Sequence, residues 1–211
     1  MRYDRDVSVG DPIAPWERAK DAVQDWWDAR RCDAEDWCAE DRTPWPRLAL
    51  LAYLFYAGIR HVASPLYRSW FAGITLAFHE MGHIVFAAPR MLQVAGGSIM
   101  QLLVPLAAAL YLLHRQRDYF GLAVGAAWLS FSMWELATYI GDARTEALAL
   151  VGFSDNPEHD WSTLLTAWGV LNHDAEIATT VRALAFLVWS GSIALGGWLC
   201  WRMWRARKAS V

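Results

Sequence analysis

The stretch SWFAGITLAFHEMGHIVFAA, residues 69–88, decides the fold class, because it is a mostly apolar run that also carries two histidines and a glutamate. A helix needs about 20 mainly apolar residues to cross a bilayer, and this run is long enough. Ionisable side chains within such a helix are costly and mark functional sites. The stretch therefore predicts a membrane helix that carries a chemically active group.

The composition of the whole chain favours the same class of protein. Hydrophobic residues make up 55% of its 211 residues, and 14 of the residues are tryptophan. A soluble domain of this length does not need so much apolar surface. In lipid, backbone polar groups must be satisfied within the segment, so we expect an all-α integral membrane protein. Its surroundings are then the lipid bilayer of the cell membrane, and nothing indicates a nucleic-acid partner.

Five segments have the length and hydropathy of membrane spans, at residues 47–63, 69–88, 97–114, 119–140 and 183–204. Trp and Tyr flank many of their ends, as is typical at the headgroup layer. We therefore predict a polytopic bundle of about five transmembrane helices over residues 47–204, followed by a basic tail at 205–211. A polar loop at 141–182 separates the last two spans, and it is predicted to include a re-entrant or interfacial helix.

The first 46 residues form a separate, charged and Trp-rich segment. Apolar residues recur at helical intervals between Pro15 and Trp37, which predicts an amphipathic helix. Two positions for this helix are open: on the membrane or a partner subunit, or packed as a cap over the bundle. Basic residues after the last span predict a cytoplasmic C-terminus, and five spans then put the N-terminal tail outside.

The motif HEMGH, residues 79–83, suggests a metal site within the second predicted span. His79 and His83 are four residues apart, so on a helix their rings project from one face. The pattern H-E-x-x-H is that of zinc peptidases, in which the histidines bind zinc and the glutamate is a general base for the attacking water. These residues predict a zinc hydrolase with Glu80 as its catalytic residue.

A zinc site needs at least one more protein ligand, and the sequence leaves three candidates open: Asp160, His159 and Asp142. Each competes with a plainer interpretation. Asp142 could be a helix-end residue paired with Arg144, and His159 with Asp160 could form an ordinary exposed turn. Either aspartate could also support a ligand imidazole without touching the metal.

Gln101 is the candidate substrate-binding residue, because its amide could hydrogen-bond a substrate carbonyl. The alternative is that Gln101 and the preceding Gly-Gly-Ser, residues 96–98, pack membrane helices together.

These motifs resemble those of the site-2 protease family of membrane-embedded zinc metallopeptidases. The resemblance covers about residues 70–165, and it is carried by the HEMGH motif, the Gly96-Gly97 pair, Asn156-Pro157 and Asp160. It implies a multi-pass membrane metalloprotease that cleaves a membrane protein or peptide. His79, His83 and Asp160 would be the zinc ligands, and Glu80 the general base. The chain departs from the family pattern where Trp161 follows Asp160 in place of glycine.

A second class of function stays open, that of a non-catalytic membrane subunit or scaffold. In such a protein the histidines and a metal serve assembly, and the N-terminal tail docks on a partner. Glu80 discriminates between the two classes, because a structural zinc site does not need this residue.

Overall fold

The computed structural model of the chain describes residues 15–40, 42–150 and 158–209, and all regular structure in these ranges is helical. The helices are α1 (Pro15–Ala39), α2 (Pro44–Ala63), α3 (Ala72–Val85), α4 (Arg90–Gln116), α5 (Tyr119–Gly141), α6 (Asp160–Ala167) and α7 (Asp174–Ala209). One turn of 3₁₀-helix, Leu171–His173, precedes α7. The predicted all-α class is thereby confirmed for the described residues.

Three segments are long and apolar enough to cross a membrane: α4, α5 and Leu171–Ala209, which contains α7. They indicate a membrane protein. The predicted count of about five spans is not confirmed, because α2 and α3 are not among these segments. With 14 residues, α3 is about 21 Å long, which is less than the roughly 30 Å of a hydrocarbon core.

Large apolar side chains are exposed on the outer faces of the bundle, where a bilayer would cover them. They include Ile74, Ile84, Val85, Leu103, Leu106, Leu110, Leu184, Phe186 and Leu187. Such an extensive apolar surface is rare on a soluble monomer and is expected where lipid is the solvent.

The middle of the bundle is formed by α2, α5 and α7 around a set of small and aromatic side chains. This cluster consists of Leu54, Ala57, Ala127, Phe131, Trp134, Ala185 and Trp189. The indole of Trp189 donates a hydrogen bond to the carbonyl oxygen of Leu54 at 3.2 Å. It also lies directly against Gly58, where a larger residue would collide with the ring.

The N-terminal helix lies against the basic end of α7. Ala34, Trp37 and Cys38 of α1 pack with residues near the end of α7, and Glu35 forms an ion pair with Arg202 at 3.0 Å. The first half of α1 is different, because its tryptophans are exposed: Trp16, Trp26 and Trp27. Only the C-terminal half of α1 is thus a cap over the bundle, and the predicted placement of tail and C-terminus on opposite sides is wrong.

The reason lies in the connection between α2 and α3. At Pro65 the chain reaches Thr138 of α5, whose hydroxyl donates to the Pro65 carbonyl oxygen at 3.0 Å. It then turns back, and the Phe71 ring stacks 5.7 Å from Trp128, which lies nearly three turns earlier on α5. From there α3 runs parallel to α2, in the same direction. The predicted reversal between the first two spans does not occur, so α1 and the end of α7 meet at one end.

The polar segment 141–182, predicted to be a loop that includes a re-entrant or interfacial helix, is helical in part. It contains the short helix α6 and the 3₁₀ turn, and α7 begins within it at Asp174. Asp174 is almost fully buried, and its carboxylate pairs with Arg144 at 2.8 Å. Asn156 and Pro157, which contribute to the family resemblance, lie outside the described residues.

Helices α3 and α4 approach so closely that their backbones touch. A Cβ atom on Gly82 would collide with the carbonyl oxygen of Gly96, and a Cβ on Gly96 would lie 2.5 Å from the carbonyl oxygen of Gly82. Small residues allow such close approach between membrane helices. The predicted helix-packing role of the Gly96-Gly97 pair is consistent with this contact.

We expect Gly82→Ala to destabilise the fold, because the added methyl group forces α3 away from α4. Overpacking of this kind costs about 1–3 kcal/mol. The control is Gly73→Ala on the same helix, where an added Cβ meets no atom within 4 Å. Thermal unfolding in detergent measures both variants. Equal unfolding midpoints for the two variants would show that the close contact does not hold these helices together.

Candidate metal centre

His79 and His83 lie one turn apart on the face of α3 that packs on α4. Their ring centroids are 5.0 Å apart. Gly97 of α4 lies beneath both rings, and a Cβ atom at this position would be 2.6 Å from each Nε2 atom. The close contact of the two helices thus lets both imidazoles reach across the α4 backbone.

Asp160, the first residue of α6, faces both histidines. Its Oδ2 atom is 3.0 Å from His79 Nε2 and 3.3 Å from His83 Nε2. The potential ligand atoms of these three residues all lie within 4.8 Å of one another. Of the three candidates for a third ligand, Asp160 is therefore the one that the fold brings to the histidines.

Hydrogen bonds on the far side of each ring fix which nitrogen faces Asp160. His83 Nδ1 lies 2.9 Å from the Gln93 carbonyl oxygen, which can only accept, so Nδ1 is the donor. Gln101 donates its amide N–H to the Ser132 carbonyl oxygen at 2.9 Å, which leaves Gln101 Oε1 to accept from His79 Nδ1 at 3.0 Å. In the neutral rings, both Nε2 lone pairs then point at Asp160.

Two nitrogen lone pairs and a carboxylate oxygen repel each other at 3.0–3.3 Å unless a cation lies between them. The cation is either a proton or a metal ion. In a tetrahedral zinc site with bonds of about 2.0–2.1 Å, neighbouring ligand atoms are about 3.3 Å apart. The donor set of two imidazoles and one carboxylate, at these separations, fits zinc.

The other two candidate ligands form a separate pair, so the predicted metal-ligand roles of His159 and Asp142 are not supported. His159 caps α6, since its Nδ1 accepts from the Ser162 backbone N–H at 3.1 Å. Its Nε2 lies 3.6 Å from Asp142 Oδ2. The physical reason is that the capping bond uses the His159 lone pair, which then cannot face a metal beside His79.

Asp142 is a structural residue at the end of α5. It accepts hydrogen bonds from the Thr145 hydroxyl at 2.6 Å and from the backbone N–H groups of Ala147 and Leu148. Burial opposes its ionisation, but these bonds outweigh burial and lower the pKa of the Asp142 carboxyl below its ordinary value. The predicted alternative, an ion pair with Arg144, is also wrong, because Arg144 binds Asp174.

Two aromatic residues hold Asp160 in place. Tyr139 accepts a hydrogen bond from the Asp160 backbone N–H at 3.0 Å. The indole N–H of Trp161 donates to the Ser98 hydroxyl of α4 at 3.0 Å, which ties the start of α6 to the helix beneath the histidines. The sequence signal for Tyr139 is its spacing from Glu135 and Asp142, since positions 135, 139 and 142 recur at helical intervals and form one polar stripe. For Trp161 we find no signal, since the family pattern has glycine there.

A cavity of about 270 Å³ adjoins the cluster between α3 and α5. Glu80 is half-buried and lines the cavity next to His79, and Glu135 of α5 lines it as well. Gln101 also borders the cavity, but its amide oxygen and one N–H are already bonded to His79 and Ser132. The substrate-binding role predicted for Gln101 competes with those two bonds.

Comparisons with protein-family models, with curated proteins and with solved structures gave no significant match. The geometry of the cluster and of its cavity is therefore the basis for a functional assignment.

We expect Gln101→Leu to weaken metal binding about 10- to 100-fold, the usual effect of losing a group that orients a ligand histidine. Leucine cannot accept the His79 Nδ1 hydrogen bond. Competition with a chromogenic chelator measures the affinity. The control is Gln93→Leu, which should bind metal normally because Gln93 supports His83 only through its backbone carbonyl. Equal affinities in the two variants would contradict the role of Gln101.

Proposed function

We propose that the chain is a membrane-embedded zinc metallopeptidase that hydrolyses peptide bonds of a membrane or membrane-proximal substrate. One observation carries the proposal: the Nε2 atoms of His79 and His83 converge on Asp160 Oδ2, and Glu80 borders the adjoining cavity. This is the residue set that the resemblance to the site-2 protease family implies, and the fold brings it together from α3 and α6.

His79, His83 and Asp160 would hold the zinc ion. When bound, zinc would lower the pKa of a coordinated water to about 7 and polarise the substrate carbonyl. Three protein ligands leave a fourth position open, which is the pattern of catalytic zinc sites and not of structural ones. Gln101 and the Gln93 carbonyl keep both rings in the required tautomer.

Glu80 would act as the general base. It follows His79 on the helix, so its side chain projects about 100° around α3 from that of His79 and lies beside the ligand set without belonging to it. Because it lines the cavity, it can accept a proton from the attacking water and deliver this proton to the leaving amine.

The cavity gives water a place within an apolar bundle. Its volume of about 270 Å³ far exceeds the roughly 30 Å³ that one water molecule takes in the liquid. Its walls combine apolar side chains of α3 and α5 with the carboxylates of Glu80 and Glu135. The cavity could therefore hold a peptide bond and a water molecule together beside His79, away from lipid.

The test is Glu80→Gln, which keeps the shape of the side chain but removes the base. We expect zinc content to be unchanged and peptide hydrolysis to fall by about 10²- to 10⁴-fold, the usual contribution of general acid–base catalysis. Hydrolysis is followed by mass spectrometry on a set of soluble and membrane-spanning peptides in proteoliposomes. The control is Glu176→Gln, at an exposed position of α7.

A wild-type chain that binds zinc but cleaves none of the peptides would contradict the proposal. It would favour a non-catalytic metal-binding subunit. Normal cleavage by the Glu80→Gln variant would instead show that hydrolysis occurs without this glutamate as its base.

A further inference from the structure

We propose that Glu135 binds a cationic group of the substrate, an ammonium or guanidinium, inside the cavity that Glu80 also lines. The inference rests on the proposed peptidase function, because the bound group belongs to the peptide that is cleaved. It adds a substrate class to that function: peptides with a positive charge close to the bond that is hydrolysed.

Glu135 is a charged residue at a position where charged side chains are rare. It is the single charged residue of α5, a helix apolar enough to cross the membrane. Ionisable side chains at such positions are costly and face protein interiors or water-filled cavities. The proposed zinc site does not account for Glu135, because the ligands and the general base all come from α3 and α6.

The side chain of Glu135 forms no hydrogen bond or close ion pair with a described residue, although the charge of Arg68 attracts it from farther away. Its Oε1 atom is fully buried and makes no hydrogen bond within the described residues. No ion pair within 4.0 Å joins it to a described basic side chain. A buried carboxylate oxygen without a hydrogen-bond donor is unfavourable, so a ligand that supplies the missing donor would stabilise the site.

The position of Glu135 relates it to the reaction site. It lies one turn before Tyr139, whose ring centroid is 6.0 Å from that of His79. Both residues line the cavity together with Glu80. A substrate held with its peptide bond beside Glu80 of α3 can therefore extend a neighbouring group, within the same cavity, to Glu135 of α5.

The chemistry of Glu135 selects the kind of group. An ionised carboxylate can only accept hydrogen bonds, and its bonds to charged donors are about twice as strong as neutral ones. Among the described residues, two with basic side chains border the cavity, His79 and Arg68, and Arg68 is exposed. The carboxylates of Glu80 and Glu135 line the same cavity, and each would attract a positively charged group.

Two groups in a peptide have this chemistry, a basic side chain and a free amino terminus. Three fluorescent octapeptides on one alanine–leucine scaffold separate them: an acetylated peptide with a central lysine, an acetylated peptide with a central norleucine, and the norleucine peptide with a free amino terminus. Binding is measured by fluorescence anisotropy to the zinc-loaded Glu80→Gln chain, which cannot cleave them.

We expect one of the charged peptides to bind about tenfold more tightly than the acetylated norleucine peptide, which is a typical gain for a charge-assisted hydrogen bond. Preference for lysine identifies a basic side chain, and preference for the free terminus identifies the amino group. Adding Glu135→Gln should abolish the preference and leave zinc content and the affinity for the neutral peptide unchanged.

A second measurement needs no change at Glu135. Pentylamine should displace the bound peptide at lower concentration than 1-pentanol, which has the same chain without the charge. This comparison tests for binding of a cationic group if the Glu135→Gln chain does not fold.

Equal binding of the three peptides, or absence of binding, would overturn the inference, as would a preference that persists in Glu135→Gln. Failure of the proposed peptidase function has a different signature. The chain with Glu80 intact would then bind the charged peptide selectively and leave it uncleaved.

Discussion

The approach of two histidine Nε2 atoms to one oxygen of Asp160 is the constraint on which the rest of the structure depends. At 3.0 and 3.3 Å these acceptors need a cation between them. Much of the surrounding structure serves to hold them there. Gln101 and the Gln93 carbonyl orient the rings, and Tyr139 with Trp161 fixes the start of α6.

Glycine makes this arrangement geometrically accessible. Gly82 and Gly96 bring α3 and α4 into backbone contact, and Gly97 leaves room for both imidazoles. The same short helix that carries the histidines also carries Glu80 to the cavity. Because α3 starts partway along α5 and His79 already lies beside Tyr139, close to the end of α5, its polar residues lie at one end of the bundle, where water has a shorter path to them.

Patterns within one helix were predictable from the sequence, and relations between helices were less so. The spacing of His79 and His83 placed both rings on one face, and α5 begins at the predicted residue. Which of Asp160, His159 and Asp142 faces the two histidines depended on the N-cap of an eight-residue helix. The polar residues near that cap do not allow it to be predicted. Hydropathy also does not indicate in which direction a helix runs, so it did not predict that α2 and α3 run in the same direction.

The most direct test of the central claim is the zinc content per chain, by elemental mass spectrometry, of the purified protein and of two aspartate variants. The account predicts about one zinc in the wild type. It predicts that Asp160→Ala loses the metal, whereas Asp142→Ala, which removes the support of the loop after α5 and the contact with His159, keeps most of it. A wild type without zinc, or full occupancy in Asp160→Ala, would contradict the account.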